Sequence, residues 1–189
     1  MRAIHRLAED GSPHAARWIR PLLRDREALV RSAALMALGK LGAPSDLDAI
    51  AELLQARMSF ERRAAVDALV ALHSPRMRDP LIRAMKTEPS YANRIEMIKA
   101  LSVLIGDNVV VDTLISMLAD PDEDVRATAA VALGKIGASQ AILALQQMML
   151  TDIVETTIYG RAIYNPTIAH RAIEMIRAPG HAPQLEWPT

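Results

Sequence analysis

The sequence predicts an all-α fold, a right-handed alpha-alpha solenoid of about five helical hairpins. Three observations lead there. The run Val30-Arg31-Ser32-Ala33-Ala34-Leu35-Met36-Ala37-Leu38-Gly39-Lys40-Leu41-Gly42 returns as Val125-Arg126-Ala127-Thr128-Ala129-Ala130-Val131-Ala132-Leu133-Gly134-Lys135-Ile136-Gly137. Arginines stand at 31, 62, 94 and 126, spaced by 31, 32 and 32 residues. A second series, Ile19, Ile50, Ile82, Leu114, Leu145 and Ile176, is spaced by 31, 32, 32, 31 and 31. Two series with one period mark an array of like units, each too small to bury its apolar face alone.

Each unit reads as two helices, A carrying the arginine and B carrying the second series. Counting back 31 residues from Leu38 and Gly42 reaches Leu7 and Gly11, so residues 1–24 are a half repeat that opens partway through an A helix. The B helix around Ile19 follows. The next A helix, with Ala34, Ala37, Leu38 and Leu41 at helical spacing, stops at Gly42, where a left-handed C-cap is expected. Ile50, Leu53 and Leu54 mark the next B helix. Looser A copies follow at Arg62, Ala65, Ala68, Leu69 and Leu72, and at Arg94, Met97, Ala100, Leu101 and Leu104. Gly137 ends the copy that begins at Val125. Pro13, Pro44, Pro80 and Pro121 fall near turns or first helical turns, where a missing N–H costs little. Small alanines at 34, 37, 65, 68, 129 and 132 let A helices approach closely. Past Leu145 the same step lands on Thr157, Gly160 and Tyr164, which predicts a degenerate C-terminal repeat at about 151–178. Residues 179–189 read as an extended Pro-rich tail, so one domain spans 1–178.

Composition narrows the function. Aromatic residues are only 3% of the chain, so the core must be aliphatic. Lys plus Arg and Asp plus Glu are equal at 22 each, which gives no global pull toward nucleic acid or an anionic membrane. The halves differ: residues 1–100 hold 17 basic and 12 acidic side chains, and 101–189 hold 5 and 10. With no cysteine, disulfides and thiolate metal sites are excluded. No apolar run approaches the ~18 residues of a membrane span, and the N-terminus carries no secretory pattern, so a cytoplasmic protein is the default expectation.

The pattern Asp-Pro-Asp-x-x-Val-Arg-x-x-Ala-x-x-Ala-Leu-Gly-x-Ile-Gly at 120–137 resembles the HEAT-like repeat of phycobilisome lyase subunits. The resemblance covers nearly the whole chain. It implies a HEAT-type stack, a fold used by scaffolds, adaptors, bilin lyases and a few enzymes. It also implies that acid–arginine positions form ladders between neighbouring units. Here Asp25, Glu88 and Asp120 precede Arg31, Arg94 and Arg126 by six residues, while Ala56 interrupts the pattern before Arg62.

Catalytic chemistry finds little support in the residues. The histidines at 5, 14, 73, 170 and 181 share no metal-ligand spacing, and the His-Glu dipeptides of the HEAT-type iron enzyme deoxyhypusine hydroxylase are absent. The acidic run Asp120, Asp122, Glu123 and Asp124 suits a helix N-terminus better than a calcium loop. No enzyme, cofactor, metal or small-molecule substrate is expected.

The B helices are the expected binding face. Their outward positions are Arg17, Arg20 and Arg24, then Asp48, Ala51, Glu52 and Gln55, then Pro80, Arg83 and Thr87. Asp112, Ile115 and Ala119 follow, and then Leu143, Gln146 and Leu150. This face runs from basic to uncharged and apolar. Such a strip marks a protein partner or a covering segment of the same chain, with Leu185 and Trp187 of the tail as candidates. The leading expectation is a non-catalytic protein-interaction scaffold or adaptor, such as an accessory subunit of a larger complex, and the alternative is a bilin lyase-like subunit or chromophore-protein assembly chaperone. Nucleic-acid binding, as in HEAT-like DNA glycosylases, lacks the required aromatic-basic groove.

Overall fold

Between Pro13 and Arg177 the described residues form ten α-helices joined by turns, with no strand among them. The computed structural model describes residues 4, 6, 9, 13–42, 44–159, 165–178 and 186–187. The chain divides into two units, Met1–Met97 and Ile98–Thr189.

In the first unit, α1 (Pro13–Ile19) continues as a 3-10 turn over Arg20–Arg24, and α2 (Ala28–Leu41) follows. Then come α3 (Leu47–Glu52), α4 (Ser59–Ala71) and α5 (Arg78–Met85). Helix α6 (Tyr91–Leu101) begins in this unit and ends in the second. Odd-numbered helices are B-type and even-numbered ones A-type. Helices α2 and α4 pack side by side. A Cβ added to Gly39 would lie 3.0 Å from the Ala68 Cα, so only glycine lets the two backbones come so near. Ala34, Ala37, Ala65 and Ala68 are all buried. Around them Ile19, Leu35, Leu38, Leu47, Ile50, Leu69 and Leu81 complete an aliphatic core. Gly42 caps α2 with φ 65°, the left-handed conformation expected for it. One register position is corrected. Leu81 is fully buried and Ile82 half-buried, because Met77, Leu81, Ala84 and Met85 define the inner face of α5 at helical spacing.

In the second unit, α7 (Asn108–Met117) is capped by the Asp107 carboxylate, which accepts from the N–H groups of Val109 and Val110. Asp122 caps α8 (Glu123–Ile136) in the same way through Asp124 and Val125. Gly137, with φ 75°, ends α8. Ala129 and Ala132 are fully buried. Helix α9 runs 18 residues, Ile142–Tyr159, with no glycine or proline to stop it, and α10 spans Asn165–Arg177.

Here the structure corrects the expected end of the array. Helix α10 packs on both α8 and α9. A Cβ on Gly134 would lie 3.0 Å from the Ala172 Cα, repeating the Gly39–Ala68 approach. Helix α10 is therefore the last A-type helix, displaced toward the C-terminus by the long α9. Thr157 belongs to α9, and Gly160 and Tyr164 lie outside the described residues, as do Leu7 and Gly11. Ile176, expected on a B helix, is half-buried on this A-type helix.

Candidate functional site

The repeated arginine is the best-defined polar feature, and its geometry is structural. In all four copies Nη1 donates to the main-chain oxygen six residues earlier. The acceptors are Asp25 at 2.6 Å, Ala56 at 2.9 Å, Glu88 at 3.0 Å and Asp120 at 2.9 Å. A second bond reaches the carbonyl five residues earlier, on Arg26, Arg57, Pro89 and Pro121. The guanidinium fork thus holds carbonyls of the turn that follows each B-type helix, groups that would otherwise lack a partner. This explains why alanine is allowed at 56: the repeat needs that residue's oxygen rather than its side chain.

The carboxylate partners come from neighbouring repeats. Arg62 binds Glu88 through Nε and Nη2, both at 2.7 Å. Arg31 binds Glu61 through Nε at 2.6 Å and Nη2 at 3.0 Å, so Glu61 supplies the acid that Ala56 cannot. The Asp25 carboxylate, expected in the ladder, instead accepts from the Glu27 N–H at 2.8 Å. The Asp120 carboxylate accepts from the Asp122 N–H at 2.9 Å, as Glu88 does from the Ser90 N–H at 3.0 Å. Hydrogen bonds donated to Glu61 and Glu88 raise the pKa values of Arg31 and Arg62, respectively. Burial opposes ionisation of Glu88. Arg62, the Ser90 N–H and Asn93 outweigh it and hold the carboxyl below its usual range.

On the B-type elements of the first unit Arg17, Arg20 and Arg24 are exposed, as their register requires. They are not equivalent. The Arg17 guanidinium lies 4.7 Å from the ring centroid of Trp18, itself 60% exposed. Arg20 pairs through Nε with the fully buried Asp46 carboxylate. Its charge is paired within the fold, unlike that of an arginine open to a partner alone. Further along, Asp48, Ala51, Glu52, Gln55, Pro80 and Arg83, all outward in the register, line a cleft of about 310 Å3 with Leu54. Asp48 is held by Arg76 Nη2 at 3.0 Å.

In the second unit Leu143 and Leu150 are 67% and 66% exposed on α9, and Gln146 and Gln147 between them are exposed too. Ile115 is half-buried and contributes less of an open surface than the register suggested. Trp187 does not lie over this strip. Its ring sits 4.2 Å from Lys135 Nζ and 5.8 Å from Lys99 Nζ, on A-type helices α8 and α6. Leu185 falls outside the described residues. His73 has φ 49° in the position corresponding to Gly42, and His14 and His170 are exposed. The register reading missed the exposed Trp18 and an exposed row at Leu29, Phe60 and Tyr91. Leu29 and Phe60 each precede a repeated arginine by two residues, so that column was a readable signal.

A family model described as HEAT repeats matches residues 1–70 and 78–159. No match was found among curated proteins. The crystal structure of an engineered protein from a structural genomics consortium is similar, with a TM-score of 0.57 and 20% identity over 95% of this chain and 90% of that one. That likeness concerns the fold alone. No helix among the described residues is long and apolar enough to cross a membrane.

Proposed function

The chain belongs to the HEAT-repeat family, and from that premise we propose that it is a non-catalytic scaffold holding a segment of a partner protein. One observation carries the reading: the strip of α9 with Leu143 and Leu150 exposed and only glutamines between them. The two leucines are seven residues apart, two helical turns or roughly 10 Å, on one face. Water against such a strip is unfavourable, and a partner's apolar stripe would relieve it. Of the two tail residues that could cover it from within the chain, Trp187 is stacked on Lys135 and Lys99, and Leu185 lies outside the described residues.

Replacing Leu143 and Leu150 together by Asp tests this. Both side chains are solvent-exposed, so the melting temperature should stay within a few degrees. Cross-linked affinity capture, compared quantitatively between wild type and variant, should lose a specific set of proteins. Retention of the same set by the folded variant refutes the site. The resemblance of residues 120–137 to phycobilisome lyase repeats supports a second reading, a chromophore-protein chaperone. A visible absorbance band travelling with the purified protein would favour it.

A further inference from the structure

The turns that lead into the A helices of the first unit carry a second surface, away from the α9 strip. Because Arg31 and Arg62 bind turn carbonyls identically, the side chains five and two residues before them emerge alike in both repeats. Five before stand Arg26 and Arg57; two before stand Leu29 and Phe60. All four are exposed, Leu29 at 66% and Phe60 at 40%. Tyr91, 51% exposed at the start of α6, continues the row. The helix starts are tied side by side: Arg31 binds Glu61 next to Phe60, and Asn93 Nδ2 donates to the Ser59 oxygen at 3.1 Å. Lys86, exposed in the turn before α6, adds a third cation.

Among the described residues the side chains of Arg26, Arg57 and Lys86 have no hydrogen-bond or ion-pair partner. The buried acids of this edge, Glu61 and Glu88, are already neutralised by Arg31 and Arg62. Asp25 is half-buried and bonded to its own turn, so Glu27 is the one fully exposed acid facing three cations there. The edge is therefore basic, with one large apolar side chain per repeat.

We propose that this edge binds an acidic, extended segment of a partner protein that places a bulky apolar residue at every third position. Neighbouring helices of a stack lie about 10 Å apart, and an extended chain of the polyproline II type rises about 3.1 Å per residue with three residues per turn, so every third side chain returns to the same face one repeat further on. The carboxylates between the apolar residues face Arg26, Arg57 and Lys86. A single-stranded nucleic acid fits less well. Its bases stack at closer steps than one anchor per 10 Å, and Leu29 has no ring to stack on.

The probe is a fluorescein-labelled peptide of three Leu-Asp-Glu units, titrated into the full chain by anisotropy at low salt. Controls are the Leu-Lys-Lys peptide, the same composition with the leucines clustered, and a labelled oligothymidine. The acidic peptide should bind saturably, and binding should fall with added salt. Arg26→Glu with Arg57→Glu should weaken it by about ten-fold or more, and so should Leu29→Ser with Phe60→Ser. None of these side chains takes part in the arginine ladder, and an unchanged circular dichroism melt confirms that each variant is folded. The Leu143→Asp, Leu150→Asp variant should bind the peptide like wild type, so failure of one surface is distinguishable from failure of the other. Absence of binding, equal binding of the basic or clustered peptide, or tighter binding of oligothymidine overturns the proposal. So does an unchanged affinity in both folded double variants.

Discussion

Replacing Glu88 with glutamine removes one charge from a nearly dry ion pair. The Arg62 and Glu88 side chains are 11% and 1% exposed, and the carboxylate takes both Arg62 Nε and Nη2 as well as the Ser90 N–H. Breaking such a pair from one side leaves a charge without its counterion, at a cost of about 3–5 kcal/mol. Glutamine keeps one acceptor oxygen, so Glu88→Gln should cost the lower end of that range and Glu88→Ala the upper. Arg62→Met should be at least as costly, since it also releases the carbonyls of Ala56 and Arg57. In a double-mutant cycle the two changes should couple by about 1–3 kcal/mol. The exposed pair Arg76–Asp48, at 62% and 78% exposure, is the control and should couple by less than about 1 kcal/mol. Urea unfolding followed by circular dichroism reads these values from midpoint shifts at constant slope. The pair also sets an acid limb. Because the folded state lowers the Glu88 pKa from its ordinary 4.5, the contribution is complete above that value and is lost as pH falls through the depressed one. Wild-type stability should therefore drop below about pH 4.5 more steeply than that of Glu88→Gln. A Glu88→Gln cost under 1 kcal/mol, or additive changes at Arg62 and Glu88, would show that the ladder does not join the repeats energetically.

Two further expectations follow from the backbone. Gly134→Ala should cost about 1–3 kcal/mol in urea unfolding by forcing a methyl against the Ala172 backbone 3.0 Å away; a neutral effect would mean that α8 and α10 are not in that close contact. His73→Gly should stabilise the fold by about 0.5–1 kcal/mol, because φ 49° strains a side-chain-bearing residue; a loss of stability would mean that the 2.8 Å contact between His73 Nδ1 and the Ala71 oxygen outweighs the strain.

Periodicity alone determined the repeat, its two helices and the close-packed alanines, because a stacked array must present the same inner face in every unit. It also placed Gly42 and Gly137 in left-handed caps and put Arg17, Arg24, Leu143 and Leu150 outside, since a helical face follows from spacing. What periodicity could not decide is which neighbour a long polar side chain reaches. Arg20 was legible as exposed, but not as the partner of Asp46, which lies 26 residues away in another turn. The acid at 25 lies in the right place by count, yet Arg31 takes its carbonyl and finds its carboxylate on Glu61. The last A-type helix was misplaced for a related reason: counting assumes a constant period, and α9 has no residue that stops a helix until past Tyr159. Only three-dimensional packing, in which Gly134 meets Ala172, identifies where the next unit begins. Local propensity sets how long a helix runs, but the partner it buries against sets which repeat position it fills.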